Sequence, residues 1–189
     1  NEPGKSAQSQ SYMWLLTTTE SSVPVMIYHY NASRSGDTPK NLLDDFSGAL
    51  MVDGYEGYAA VCRQNNITRL GCLAHARRKF VEAQKAQVKN KTGKADMAVS
   101  FIQKIYAVER SCVDASAQER HRLRQEKAKP LFDKLEQWLQ KSLANTLPKT
   151  ALGRALGYLK NQWPRLIGYL DDGARPIDKF QIVLLSIAG

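Results

Sequence analysis

Hydrophobic and polar positions along the chain change rhythm about halfway. Up to residue 75 the apolar residues come in short blocks separated by turn formers, which is the spacing of strands and short helices. "YMWLLTTT" (12–19) and "VMIYHYNA" (25–32) are rich in aromatic and β-branched residues and predict two strands, with "ESSVP" breaking between them. Their short connection predicts an antiparallel hairpin. "DTPKNLLDDF" predicts a short helix, capped by Asp37 or Thr38, with Pro39 in its first turn and Leu42, Leu43 and Phe46 on its apolar side. "GALMVDG" (48–54) is a nearly unbroken apolar run, the pattern of a strand covered on both faces. A helix of about two turns over "YEGYAAVCRQNN", a strand over "ITRLGCLAH" (67–75) and a basic amphipathic helix over "HARRKFVEAQKAQVKN" follow. Strand, helix, strand, helix implies an α/β layer with parallel pairing.

After the polar, Gly-containing stretch "KNKTGKAD" the period becomes helical. Ala98, Phe101, Ile102, Ile105, Val108 and Cys112 lie on one stripe. Residues 117–144 place Leu123, Leu131, Leu135, Trp138, Leu139 and Leu143 inward, with Pro130 expected to kink or restart the helix. Residues 148–170 repeat the pattern, with Pro164 expected to bend or interrupt it. The second half therefore reads as a bundle-like helical sub-domain. The tail "KFQIVLLSIAG" is apolar and matches nothing before it.

Composition narrows the class. The chain has 189 residues, 43% of them hydrophobic, and a mean hydropathy of −0.43, enough for a globular core. No apolar run approaches the ~20 residues of a membrane helix, so no membrane partner is expected. Three scattered cysteines, Cys62, Cys72 and Cys112, fit a reducing, cytoplasmic setting. The formal charge of +9 is uneven: Arg63 to Lys94 holds nine Lys or Arg against Glu82 alone. Asp37 to Gly57 holds five acids against Lys40. The basic block points to a polyanion such as nucleic acid, or to a solvated helix face.

Candidate chemistry centres on Asp53. A carboxylate at the end of a buried strand sits where ligands commonly bind and where Mg²⁺ is held for phosphoryl transfer. Capping of the helix that begins near Tyr55 is the other reading. Cys72 and His75 form a Cys-x-x-His. Cys62 and Cys112 could add ligands, but the spacing matches no common structural zinc pattern, and a buried thiol beside a backbone-bonded His is the alternative. Arg77, Arg78 and Lys79 are expected in the first turn of a helix, where positive charge opposes the helix dipole. Phosphate grip and plain solvation both explain them. Arg120, Arg122, Arg124, Lys127 and Lys129, interrupted by Glu119 and Glu126, read mainly as a solvated face. Tyr55 and Tyr58, three apart, read as packing residues, with base stacking as the alternative.

"MVDGYEGYAAV", followed some twenty residues later by "CLAHARRKF", resembles the catalytic region of bacterial insertion-sequence transposases of the family numbered sixty-six. The likeness extends over about residues 1–178. It implies a DDE transposase with a ribonuclease H-like fold and two-metal phosphoryl transfer, in which three carboxylates hold Mg²⁺ while water, then a DNA 3′-hydroxyl, attacks a phosphodiester. Asp53 matches the second of those carboxylates. Cys72 and His75 match a recurrent Cys-x-x-His, and the helix carrying Arg77, Arg78, Lys79 and Lys85 would lie beside DNA. The family's first Asp lies upstream of "EPGK". Its final Glu lies in an Asn-Asn-x-x-Glu pattern after "DDG-x-x-P-I-D", where this chain continues with "KFQIVLLSIAG" and no acid.

The expectation is therefore a ribonuclease H-like mixed sheet lacking its first strand (1–92), a helical insertion (93–170) and an aberrant tail (171–189). Such a fragment would bind Mg²⁺ weakly or not at all and have no catalysis of its own. An open sheet edge would favour a homo-oligomer. The alternative is a non-catalytic nucleic-acid-binding module built on the basic segment 63–94.

Overall fold

The computed structural model describes residues 10–18, 25–87, 92–178 and 185–188. The first two strands form as their composition predicts: β1 (Gln10–Thr17) pairs antiparallel with β2 (Met26–Asn31), Trp14 opposite His29. A further strand, β5 (Leu185–Ala188), lines the other side of β1, also antiparallel, giving the order β2-β1-β5. The tail, which had no expected structure, thus contributes a strand. β3 (Ala49–Val52) and β4 (Thr68–Gly71) form a second, two-stranded sheet. The molecule is a mixed α/β protein with two small sheets and a majority of helix.

The described residues fall into two compact units, Asn1–Arg69 with Lys179–Gly189, and Leu70–Asp178. In the first, Trp14, Leu43, Leu50, Val52, Tyr58, Val61, Cys62 and Ile67 form the core. Leu50, Met51 and Val52 are all buried, as the unbroken apolar run of β3 requires. Helix α1 (Asp37–Leu42) begins from Gly36, without a side-chain cap from Asp37 or Thr38. Thr38 and Pro39 are instead buried, so packing rather than capping fixes its start. A 3₁₀ turn (Glu56–Tyr58) leads into α2 (Ala59–Gln64), and Tyr58 packs edge-on against Trp14 and Tyr55.

The second unit is helical: α3 (Leu73–Lys85), α4 (Lys94–Ser111), α5 (Ala117–Leu123), α6 (Lys129–Ala144) and α7 (Ala151–Ile167). Its core joins Leu73 and Phe80 of α3, Ile102 and Ile105 of α4, Phe132 and Leu135 of α6, and Leu156 and Leu159 of α7. Two prolines behave differently from one another. A π-helical turn, Arg124–Ala128, joins α5 to α6 just ahead of Pro130, which occupies the first turn of α6, where its missing N–H costs nothing. Pro164 does not interrupt α7, which continues through it to Ile167. Both Pro164 and Lys160, whose carbonyl loses its intrahelical donor, are exposed, so water can take the bond.

Candidate functional site

Asp53 follows directly on β3 and is partly exposed. Its Oδ1 accepts the Tyr55 N–H at 3.0 Å, closing an Asx turn ahead of the 3₁₀ turn. Its Oδ2 lies 3.8 Å from Nη2 of Arg34. The Arg34 guanidinium stacks 4.2 Å above the Tyr55 ring, and the Tyr55 hydroxyl donates back to the Arg34 carbonyl. On the other side Arg69, its side chain only 7% exposed, pairs with Glu56 at 3.3 Å. It also donates to the carbonyls of Tyr55 (2.6 Å) and Asp53 (3.4 Å). Two arginines therefore pin the segment "DGYEGY". Burial pushes the Tyr58 phenol well above its ordinary pKa, with the nearby Asp53 charge adding to the effect, so Tyr58 stays protonated. Sequence reasoning missed Arg34 and Arg69; neither lies within ten residues upstream of Asp53 or in a recognisable motif with it.

A divalent metal needs several converging oxygen ligands. Among the described residues no group of three or more His, Cys, Asp and Glu gathers to hold one. The carboxyl oxygen of Asp53 not engaged by the Tyr55 amide faces a guanidinium, which repels a cation. The donor set described around Asp53 does not fit a Mg²⁺ site.

Cys72 is buried at the N-cap of α3, and His75 occupies the third helical position. Cys62 lies in the core of the first unit and Cys112 at the C-cap of α4, its thiol donating to the Val108 and Glu109 carbonyls. None of the three forms a disulfide, and they are dispersed. Because α3 starts at Leu73, Arg77, Arg78 and Lys79 sit in its second turn, not the first as expected, and the dipole opposes them less. Lys85 closes the last turn, where the dipole favours it. Lys79 lies 5.5 Å from the centre of the Tyr158 ring, a cation–π contact. Arg77 and Arg78 are exposed and turn toward α4 around a shared cavity.

The basic run 120–129 departs most from expectation. Arg122 is the solvated, paired residue expected, bridging Glu119 and Glu126 at 2.8 Å each. Arg124 is instead 1% exposed, bidentate to Glu109 and donating to the carbonyls of Tyr169, Asp172 and Arg175. It is a structural cation and is not available to DNA.

These features define a two-unit α/β protein with a guarded strand-end carboxylate and an arginine-lined helical face. The family model described as "Transposase IS66 family" matches residues 1–181. The chain belongs to the IS66 family of transposases. It is 33% identical over 163 residues to the uncharacterized protein y4hP of Sinorhizobium fredii (strain NBRC 101917 / NGR234), covering 79% of this chain and 30% of that protein. It is 30% identical over 190 aligned positions to y4jD of the same strain, covering 94% of this chain and 36% of that protein. The chain thus spans about a third of the length of these curated relatives. No solved structure matches it. Among the described residues no helix is long and apolar enough to cross a membrane.

Proposed function

We propose that this chain is the DNA-engaging part of a transposase of the DDE type, that its core is ribonuclease H-like, and that on its own it grips DNA without cutting it. Family membership supports the DNA role. A buried strand ending in a carboxylate supports the ribonuclease H-like reading, with Asp53 as one of the acids of DNA phosphoryl transfer. The observation that carries the non-cutting part is the neighbour of Asp53: a guanidinium, Arg34, 3.8 Å away, in place of a second acid. Mg²⁺ binding at Asp53 alone is expected to be weak or absent.

The test is a supercoiled-plasmid nicking assay with 5 mM-scale Mg²⁺, comparing the chain with Asp53→Asn. Equal, background nicking by both is expected. Mg²⁺-dependent nicking that disappears in Asp53→Asn would overturn the non-cutting reading.

The alternative, a nucleic-acid-binding module with no catalytic ancestry in its carboxylate, is favoured by one observation: Arg77 and Arg78 stand exposed and without an ion pair among the described residues. It predicts that DNA binding is indifferent to Asp53→Asn both with and without Mg²⁺. The transposase reading predicts that Mg²⁺ changes binding through Asp53 once further acids of a longer relative are supplied in trans.

A further inference from the structure

Helices α3 and α4 do more than bury a seam. Where they meet the end of the unit they enclose an open cavity of about 850 Å³, lined by Arg77 and Arg78 of α3, Gln103, Tyr106 and Arg110 of α4, and Asp178. Three guanidiniums face one carboxylate. That carboxylate is engaged: the Tyr106 hydroxyl donates to its Oδ2 at 2.7 Å. The arginines are not engaged. Among the described residues, Arg77, Arg78 and Arg110 have no hydrogen bond or ion pair, whereas Arg69, Arg122, Arg124 and Arg175 are all tied to carboxylates. Like charges placed together without a counter-ion repel each other and lower stability. A sequence that keeps three of them around one concave space has an anion to put there.

We propose that this cavity is a phosphate-recognition site that takes a backbone phosphate of the DNA strand, with Arg110 completing the pair Arg77 and Arg78 from the neighbouring helix. The inference rests on the DNA-engaging reading above and makes it specific. Arg supplies a planar fork that matches two phosphate oxygens at once, which a lysine cannot do. Gln103 adds a neutral donor. Asp178 sets an upper limit on affinity by placing one negative charge in the wall, and its bond to Tyr106 holds it there. Burial and the Asp178 charge raise the Tyr106 pKa, so the phenol remains a donor at every physiological pH. Lys79 is excluded from the site, because it is turned onto the Tyr158 ring of α7.

The experiment measures binding of a fluorescent 20-base-pair DNA by the full chain at several KCl concentrations in EDTA. Each phosphate that the chain neutralises contributes roughly 0.9 to the slope of log K against log salt. Arg110→Ala is expected to weaken binding about fivefold or more and to lower the slope by a part of the roughly 0.9 that one phosphate contributes. Arg154→Ala, which removes the same charge from α7 outside the cavity lining, is expected to change affinity less than about twofold, because it removes no donor from the phosphate. Asp178→Asn keeps an acceptor for Tyr106 and removes the repelling charge, so it is expected to tighten binding about twofold to fivefold. Circular dichroism of each variant checks that it folds. Inorganic phosphate at millimolar concentration is the second probe. If it competes in the wild type but not in Arg110→Ala, the cavity binds phosphate itself; if it never competes, a lone phosphate is not the ligand and the site as proposed fails. If the wild type binds DNA but Arg110→Ala and Arg154→Ala weaken it equally, the cavity is not the site, although the DNA-engaging reading stands. If the wild type does not bind DNA at all, that reading fails first.

Discussion

Asp53 is held by a backbone amide more than by charge. Its Oδ1 bond to the Tyr55 N–H has an ordinary length of 3.0 Å, while Arg34 stands at 3.8 Å and both side chains are about a third exposed. An exposed pair of that kind contributes under about 0.5 kcal/mol, whereas loss of a turn-closing acceptor costs about 1 kcal/mol. Asp53→Asn is therefore expected to shift the urea midpoint little and Asp53→Ala clearly more; equal shifts would mean that the charge, not the turn, matters. Asp96 gives a second residue-level expectation. Its carboxylate accepts the Gly93 N–H at 2.7 Å and the side-chain amides of Gln87 (2.9 Å) and Gln84 (2.7 Å). These bonds, the Gly93 amide first, hold its pKa below the usual carboxylate range. A depressed folded-state pKa gives stability that is present above the ordinary value near 4 and is lost as pH falls through the folded value. Urea midpoints between pH 2 and 7 should fall below about pH 4 in the wild type, and that fall should be smaller in Asp96→Asn. Asp53 was legible in the sequence because strand end and motif coincide. Its guard, Arg34, was not, because nineteen positions of chain separate them and only the fold brings them together.

At the level of elements, the period of the apolar residues announced the β1–β2 hairpin and the helices of the second unit, since each is a local pattern. What periodicity could not announce is the π turn at Arg124–Ala128. It changes the helical register by one residue ahead of Pro130 and turns Arg124 from the charged face into the unit's interior. There it meets Glu109, itself 15% exposed, and stacks 4.7 Å from the centre of the Tyr169 ring. Removing one partner of a buried, hydrogen-bonded ion pair strands the other, so Arg124→Ala is expected to cost about 3–5 kcal/mol. Arg124→Lys should recover only part of it, because an ammonium cannot reproduce the fork that serves Glu109 and three carbonyls. Thermal unfolding followed at 222 nm measures both; a loss below about 1 kcal/mol would show that the pair is dispensable. Gly173 belongs to the same region. A Cβ there would collide with the Ala117 carbonyl oxygen, so Gly173→Ala should destabilise the junction of α5 with the segment after α7. The strand β5 was equally hidden, as its pairing with β1 joins the two ends of the chain.

For the whole molecule, the net charge of +9 takes meaning from where cations remain unspent. Arg69 and Arg124 are consumed by the fold and Lys79 is drawn onto a tyrosine, so a count of basic residues overstates the surface offered to DNA. Arg77, Arg78 and Arg110 are what is left at one place, and only the packing of α3 on α4 assembles them. Membership of the IS66 family, over residues 1–181, is the ground on which DNA is proposed as the partner for that surface. The most direct test of the account is the affinity of the wild-type chain for double-stranded DNA in EDTA, from 50 to 300 mM KCl. The one phosphate taken by the cavity predicts a log–log slope of about −0.9 or steeper, with no need of metal. No binding at 50 mM KCl, or binding that appears only with Mg²⁺ and vanishes in Asp53→Asn, would contradict it.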